Sequence, residues 1–253
     1  AGASAADMVV NFPLWICAKC VSAGIPLPAP RNIYKGSGSL YLAMGPLTIV
    51  EDRTTAAALD VFGDRLSPSV AHAASACISG GVAGLAVGCQ IEGLITRAHS
   101  TGETVLQAAG STYARGGLAS ILFPYGALMI AGREIPYAGC MFFLSGRIRA
   151  VLHGEGHADP KAYARSYTAV AKDVLAACLT ATIAGPLSHV PSVIAAHQQA
   201  HYSSLSDSCR SIYAGAGARG FFAGLLPRTV ALMGSLFVVP FTIERLQPHV
   251  ERF

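Results

Sequence analysis

Apolar residues are gathered in six long segments of the chain, at residues 1–22, 43–66, 70–97, 119–152, 168–199 and 221–247. Glycine, proline, serine and charged residues separate these segments, and several segments also contain a glycine or proline and an isolated charge. A transmembrane helix needs about 20 predominantly apolar residues, so the pattern predicts six transmembrane helices. Two of the segments exceed one span and must include a loop or a surface helix.

The stretches between the apolar segments differ in kind. Within Glu103–Gly116 and Ser203–Gly217, apolar residues recur every three to four positions, which is typical of a short amphipathic surface helix. The stretch Ala23–Ser39 contains three prolines, so no helix is predicted across it. Only 12 residues precede Pro13, fewer than a full span needs, so the first transmembrane helix is predicted to be shortened.

The composition supports a membrane protein. The chain is 52% hydrophobic and only 13% charged, where a soluble domain carries about 25% charge. Mean hydropathy is +0.47. The net charge of +4 suits anionic lipid headgroups but is too small to indicate nucleic-acid binding. Seven scattered cysteines, an odd number, argue against a disulfide framework.

Parts of the sequence recur at intervals of about 100 residues. The small-residue stretch Ser79–Gly84 is followed about 101 residues later by Ala181–Gly185. Aligning Pro46, Pro136 and Gly234 gives offsets of 90 and 98 residues. The single domain 1–253 is therefore predicted to contain three tandem two-helix repeats, namely 1–68 (shortened), 69–155 and 165–253.

The segment Arg133–Gly139 has the sequence Arg-Glu-Ile-Pro-Tyr-Ala-Gly. An R-x-x-P pattern opening an apolar run resembles the even-numbered helices of the mitochondrial carrier family, and with the repeats the resemblance extends over essentially the whole chain. It implies an all-α membrane protein of six transmembrane helices in a threefold pseudosymmetric bundle with short matrix-side amphipathic helices. It also implies a multi-pass location in the mitochondrial inner membrane.

In that family, odd-numbered helices end in P-x-[D/E]-x-x-[K/R]-x-[R/Q], whose acids and bases pair between helices to close the matrix side. Only one acid, Glu92, stands at such a position here, and no base does, since Lys19 is one residue out of register. The proline positions of the first and third repeats are kept as Pro13 and Pro191. The resemblance thus predicts a lost matrix gate.

The corresponding motif of the even-numbered helices is equally reduced. Aligned on the three kink positions, it retains Arg149 in the second repeat and Glu244 in the third, which are predicted to form one residual gate pair. A single partly exposed ion pair contributes about 0–1 kcal/mol, too little to hold a gate closed.

Trp15, the only tryptophan, stands where the family places a gate acid. One interpretation is that the indole plugs the central path, lined by apolar side chains at Ala18, Ile95, Val193 and Ala196. The alternative is that the first helix is rotated and Trp15 faces lipid or a partner protein, where tryptophan is common.

The family's substrate contact positions correspond to Ala43, Arg133 with Glu134, and Ala231. Charges in a bilayer cost about 2.5–3.5 kcal/mol each, so Arg133 and Glu134 are predicted to face protein, water or a ligand. They form either a substrate-binding pair or a structural contact with a neighbouring helix. Glu51, Asp52 and Arg53 are similarly costly in lipid and indicate a protein- or water-facing surface.

No metal or catalytic site is predicted. His197 and His201 could share a helix face, but no carboxylate or thiolate accompanies them at ligand spacing. Neither a Ser-His-Asp arrangement nor a phosphate-binding loop is present. The expectation is a protein that is not an enzyme and has no cofactor, although bound phospholipid such as cardiolipin is compatible with the resemblance.

Two functions remain open. The depleted gates favour a degenerate carrier retained as an accessory, structural subunit of a larger inner-membrane assembly, for example a respiratory-chain complex. The alternative is an active carrier that exchanges a small amino-acid-like or carboxylate metabolite through Arg133 and Glu134. The expected partners are the lipid bilayer and other subunits of an inner-membrane complex. A lipid-organising scaffold acting alone is a weaker third possibility.

Overall fold

A computed structural model describes residues 2–154 and 167–250, with side chains at 2–5, 142, 240 and 243–250 left outside the description. Every regular element in these ranges is helical. The first four long helices are α1 (Gly2–Ala23), α2 (Ser37–Phe62), α3 (Pro68–Ala83) and α4 (Cys89–Thr101). The remaining helices are α5 (Val105–Leu122), α6 (Ala127–Ala138), α7 (Ser145–His153), α8 (Tyr167–His201), α9 (Leu205–Ala216) and α10 (Leu225–Val250).

Short π-helical turns join two pairs of these helices. Gly84–Gly88 connects α3 to α4, and Gly139–Leu144 connects α6 to α7. Because the chain continues through each turn, Pro68–Thr101 and Ala127–His153 each form one continuous helical stretch. The all-helical prediction is confirmed for the described residues.

Five helical stretches are long and apolar enough to span a membrane, which supports a multi-pass membrane protein. They are Ala6–Ala23, Pro68–Thr101, Ala127–His153, Tyr167–His201 and Leu205–Val239. The sixth predicted span corresponds to α2, which is 26 residues long but is not among these five stretches. It is too charged for a typical transmembrane helix, because it contains Glu51, Asp52, Arg53 and Asp60.

The prediction that Pro13 limits the first helix was wrong. α1 continues through Pro13 to Ala23 and includes a candidate span of 18 residues. A proline removes one backbone hydrogen bond and bends a helix, but it need not end a helix that neighbouring helices hold in place. α8 likewise contains Pro186 and Pro191 without interruption.

The long helices pack in sequence order. α2 packs against α3, α3 against α6, α6 against α8 and α8 against α10, while α10 returns to pack against α1. α1 also contacts α8, but its contact with α2 is small. Close approach depends on glycine at Gly80 and Gly84, where an added Cβ would lie 2.9 Å from Glu134 O and Glu134 Cγ respectively.

The two predicted amphipathic surface helices are present. Thr104 caps α5, since Gln107 N donates to Thr104 Oγ1 and Thr104 N donates to Gln107 Oε1, at 3.3 and 2.9 Å. Ser204 caps α9 by accepting a hydrogen bond from Asp207 N. Leu106 and Tyr113 remain exposed, as expected of helices lying in a membrane interface.

The proline-rich stretch between α1 and α2 contains only a 3₁₀ turn at Pro30–Asn32, as predicted. Lys35 fastens this stretch to the end of α4, because its ammonium donates to Ala98 O at 3.0 Å and Gly102 O at 2.9 Å. Desolvation lowers the pKa of Lys35, and the nearby Glu103 carboxylate partly offsets that effect.

Candidate functional site

Glu92 lies at the centre of a buried cluster of charged side chains. Its Oε2 is 2.9 Å from Lys19 Nζ on α1 and 2.8 Å from Arg133 Nη1 on α6. Its Oε1 accepts a second bond from Arg133 Nη2 at 2.6 Å, so the Arg133 pairing is bidentate. The cluster therefore joins three helices that are far apart in the sequence.

Arg133 is 4% exposed and is held on both sides by carboxylates. Besides Glu92, it donates from Nε to Glu134 Oε1 at 2.9 Å, and its Nη2 also contacts this oxygen. Of the surroundings predicted for Arg133, namely protein, water or a ligand, the described residues show protein. Its guanidinium is satisfied by acids of the same chain, which is the arrangement expected of a structural cation.

Lys19 enters the cluster although it stands outside the family's motif register. Its ammonium donates to Thr96 Oγ1 at 2.8 Å and to Gln199 Oε1 at 3.0 Å, in addition to pairing with Glu92. The motif alignment gave Lys19 no place in the gate, yet Lys19 pairs with the one gate acid that the alignment kept. A long lysine side chain can reach a partner that a position-by-position alignment does not assign to it.

Arg228, near the start of α10, is a further buried cation, with 8% of its surface exposed. Its Nη1 donates to Ser192 Oγ at 2.9 Å and its Nη2 to Ser188 Oγ at 3.0 Å, both on α8. Within the described ranges, Arg228 pairs with hydroxyl groups but with no carboxylate, and its Nε has no hydrogen-bond partner. Three cations and two carboxylates thus share this region.

A small cavity of about 240 Å³, counted with the solvent at its mouth, lies between these cations. Trp15, Ser22 and Ser192 line it together with Lys19, Arg133 and Arg228, and Ala18 completes the wall. Binding sites for small molecules usually enclose about 300–1,000 Å³. This cavity has room for about one water molecule, which is too little for a metabolite in the conformation described.

Trp15 points towards this cavity and not away from the bundle. Its ring centroid lies 5.5 Å from that of Phe12, and Lys19 Nζ lies 5.1 Å from the indole centroid. Ile95 belongs to the same apolar cluster, as predicted. Val193 and Ala196 instead pack in two separate clusters, so they do not form the predicted lining around the indole.

The predicted residual gate pair of Arg149 and Glu244 is only partly described. Arg149 Nε lies 3.7 Å from Asp173 Oδ1 on α8, a partner that the sequence did not suggest. Glu244 lies on α10, but its side chain is outside the described residues. The predicted pairing of Arg149 with Glu244 therefore stays a prediction.

The histidine pair also has ordinary partners. The His197 and His201 ring centroids lie 4.4 Å apart with the ring planes tilted by 45°, while His197 Nδ1 contacts Ser208 Oγ and His201 Nε2 contacts Ala23 O. Among the side chains that the structure describes, no three from His, Cys, Asp or Glu come together in a way that could hold a metal ion.

Sequence reasoning missed a second polar contact, centred on Tyr202 at the end of α8. The guanidinium carbons of Arg97 and Arg115 lie 4.5 and 4.6 Å from the centroid of its ring. Its hydroxyl is 2.6 Å from Thr112 Oγ1. These contacts fasten α5 to the ends of α4 and α8, and only the clustering of arginine with tyrosine could have suggested them.

Comparison with protein-family models and with curated proteins finds no match to this chain.

Proposed function

We propose that this chain is a non-transporting, multi-pass membrane protein that serves as an accessory subunit of a larger assembly in the mitochondrial inner membrane. Five apolar helices support the membrane assignment. The mitochondrial location and a sixth span formed by α2 rest on the resemblance described above, to which the sequential packing of the helices adds support. In this proposal the protein is a degenerate relative of solute carriers that keeps their fold.

The observation that carries the proposal is the internal neutralisation of Glu92 and Arg133. A solute site needs polar groups that are free to exchange their partners for the ligand. Here the Glu92 carboxylate is bound by Lys19 and by both terminal nitrogens of Arg133, and Arg133 also binds Glu134. Removing one member of such a buried set costs about 3–5 kcal/mol, so binding a solute in its place is disfavoured.

Reconstitution into liposomes tests the absence of transport. Purified protein should give no exchange of labelled amino acids, carboxylates or nucleotides above that of empty vesicles. Correct folding in the same vesicles is checked by the thermal unfolding of the reconstituted protein. Saturable counter-exchange of any one of these solutes would refute the proposal.

Gentle extraction tests the accessory role. Native membranes are solubilised in a mild detergent and separated on a native gel or a density gradient. We expect the chain to co-migrate with a larger assembly at fixed stoichiometry. Migration near the 26.1 kDa of a single chain plus its detergent belt would contradict the accessory role.

One observation favours active transport as a second candidate. Arg228 faces the small cavity without a carboxylate partner in the described part of the chain, so an anionic solute could pair with it in a conformation in which that cavity is wider. Exchange of a carboxylate metabolite that is lost in Arg228→Ala and kept in Arg31→Ala would establish this candidate. Arg31 is a suitable control because it is exposed and lies in the loop before α2.

A further inference from the structure

The α2 helix has two different faces. Ala43 and Ala58 are buried, and Leu47 and Glu51 lie partly buried on the same side. The opposite side is exposed, and its middle part, Leu42, Gly45, Ile49, Asp52, Arg53 and Ala56, is named here the outer face of α2. An acidic and a basic residue thus stand next to each other on a face that is otherwise apolar or small.

These two charges lie level with the middle of a candidate span. α2 runs antiparallel to Pro68–Thr101, since Gly36 approaches Ile95 while Leu47 approaches Gly88. Continuing the same register places Asp52 beside the residues around Gly81, close to the centre of that span. If Pro68–Thr101 crosses the bilayer, the outer face of α2 carries Asp52 and Arg53 at mid-membrane depth.

Nothing in the described part of the chain neutralises this pair. Neither Asp52 nor Arg53 forms a hydrogen bond or an ion pair with any described residue. Charged side chains at the centre of a membrane are almost always paired or face protein or water. Contact of this face with lipid is therefore energetically unfavourable.

The outer face also has room for a neighbouring helix. A Cβ atom added at Gly45 would meet nothing within 4 Å, and the same holds for Gly38, about two turns earlier. Small residues allow membrane helices to approach closely. α2 makes only a small contact with α1, so its association with the rest of the chain depends mainly on α3.

We infer that a second copy of this chain covers the outer face of α2. A two-fold axis along the membrane normal brings identical residues to the same depth in both copies. Asp52 of one copy then faces Arg53 of the other, and the reciprocal pair forms with it. Adjacent opposite charges are self-complementary in this symmetry, whereas an unrelated partner would have to carry a matching pair.

The inferred dimer goes beyond the proposed function, because an accessory subunit and a transporter could both associate through α2. Failure of the dimer experiment leaves the transport and co-migration results unaffected. The reverse also holds, since a chain that transports a solute can still form the dimer.

The experiment uses donor- and acceptor-labelled copies of the full chain, reconstituted together in phospholipid vesicles at a low protein-to-lipid ratio. Energy transfer between wild-type copies should exceed the level for random encounter. Asp52→Arg alone and Arg53→Asp alone should each reduce transfer to that level, because like charges then oppose each other. Mixing these two variants should restore transfer, since one copy presents two bases and the other two acids.

Two further variants keep the test independent of folding. The exchanged variant Asp52→Arg/Arg53→Asp retains both charges and should associate like the wild type. Asp64→Arg makes the matching change in a second Asp-Arg dipeptide, Asp64–Arg65, which lies in the exposed turn after α2. It should leave energy transfer unchanged. If Asp52→Arg cannot be reconstituted at all, the exchanged variant still tests the pairing. It should associate with itself but not with the wild type, because like charges then oppose each other.

Several results would overturn the inference. Wild-type copies that show only random transfer would do so, as would transfer that neither single reversal reduces. Failure of the mixed reversals to associate would exclude Asp52–Arg53 pairing. A different membrane protein found cross-linked to the outer face of α2 in native membranes would identify another occupant and exclude a second copy.

Discussion

Lys19 and Glu92 form a buried ion pair between α1 and α4, with Lys19 Nζ 2.9 Å from Glu92 Oε2. Their side chains are 6% and 8% exposed. Arg133 binds the same carboxylate from α6, so one acid connects three helices. A buried carboxylate in this position holds helices together because, without it, Lys19 would have no counter-charge and Arg133 would keep only Glu134.

Replacement of Glu92 should therefore be strongly destabilising. Glu92→Gln keeps the shape of the side chain but leaves Lys19 and Arg133 without this carboxylate, at a cost of about 3–5 kcal/mol. The midpoint of thermal unfolding in detergent should fall clearly. Asp60→Asn, on the exposed side of α2, is the control and should change the midpoint little. Equal midpoints for the two variants would contradict a structural role for Glu92.

Arg133 should be intolerant even of lysine. Arg133→Ala removes the cation that Glu92 and Glu134 share. Arg133→Lys restores the charge but cannot form the bidentate contact with Glu92. We expect the unfolding midpoint to decrease in the order wild type, lysine variant, alanine variant. A folded alanine variant of wild-type stability that has lost a ligand-induced shift would instead indicate a solute site.

Trp15 provides a direct optical test of the packed centre. The indole lies against Phe12 and Lys19, so its fluorescence should be quenched less by iodide than that of free tryptophan amide. Trp15→Ala should cost about 2–4 kcal/mol, slightly less than truncation of a fully buried tryptophan, because Trp15 is partly exposed. Trp15→Phe, which keeps an aromatic ring, should lose much less stability. Free access of iodide to the indole would show that the ring faces outward.

Two glycines allow backbone strain to be separated from a steric clash. Gly102 and Gly126 both have positive φ, at +78° and +85°. An added Cβ meets nothing at Gly102, but at Gly126 it would lie 3.0 Å from Ala195 O and 3.1 Å from Ala195 Cα. Gly102→Ala should cost about 1 kcal/mol from strain alone, and Gly126→Ala clearly more. Similar unfolding midpoints would mean that α8 can move away from Gly126.

The helical elements were largely predictable from the sequence. Periodic apolar positions predicted the surface helices that became α5 and α9, and the prolines before α2 correctly excluded a helix there. These features depend on local propensity and capping, which short windows of sequence express. The prediction from Pro13 failed because the effect of this proline on α1 depends on the neighbouring helices, which local sequence does not reveal.

The sequence indicated most of the residues of the charged cluster, but it did not indicate which of them form ion pairs with each other. Arg133, Glu134 and Glu92 were all named as candidate residues, yet their pairing depends on how α4 and α6 are rotated against each other. Lys19 was missed because an alignment compares positions and takes no account of side-chain reach. A lysine inside an apolar segment was nevertheless a signal that a buried acid had to be nearby.

The π-helical turn Gly84–Gly88 decides which side of α4 the cluster occupies. Such a turn accommodates about one residue more than an α-helical turn, which advances the helix after it by roughly 100°. Glu92 lies four residues beyond the turn, so its direction depends on that phase. Shortening Gly84–Gly88 by one residue would leave the composition of α4 intact and still turn Glu92 away from Lys19 and Arg133. The buried contact of Glu92 with Lys19 and Arg133 thus depends on the length of the glycine-flanked turn as well as on the presence of the acid.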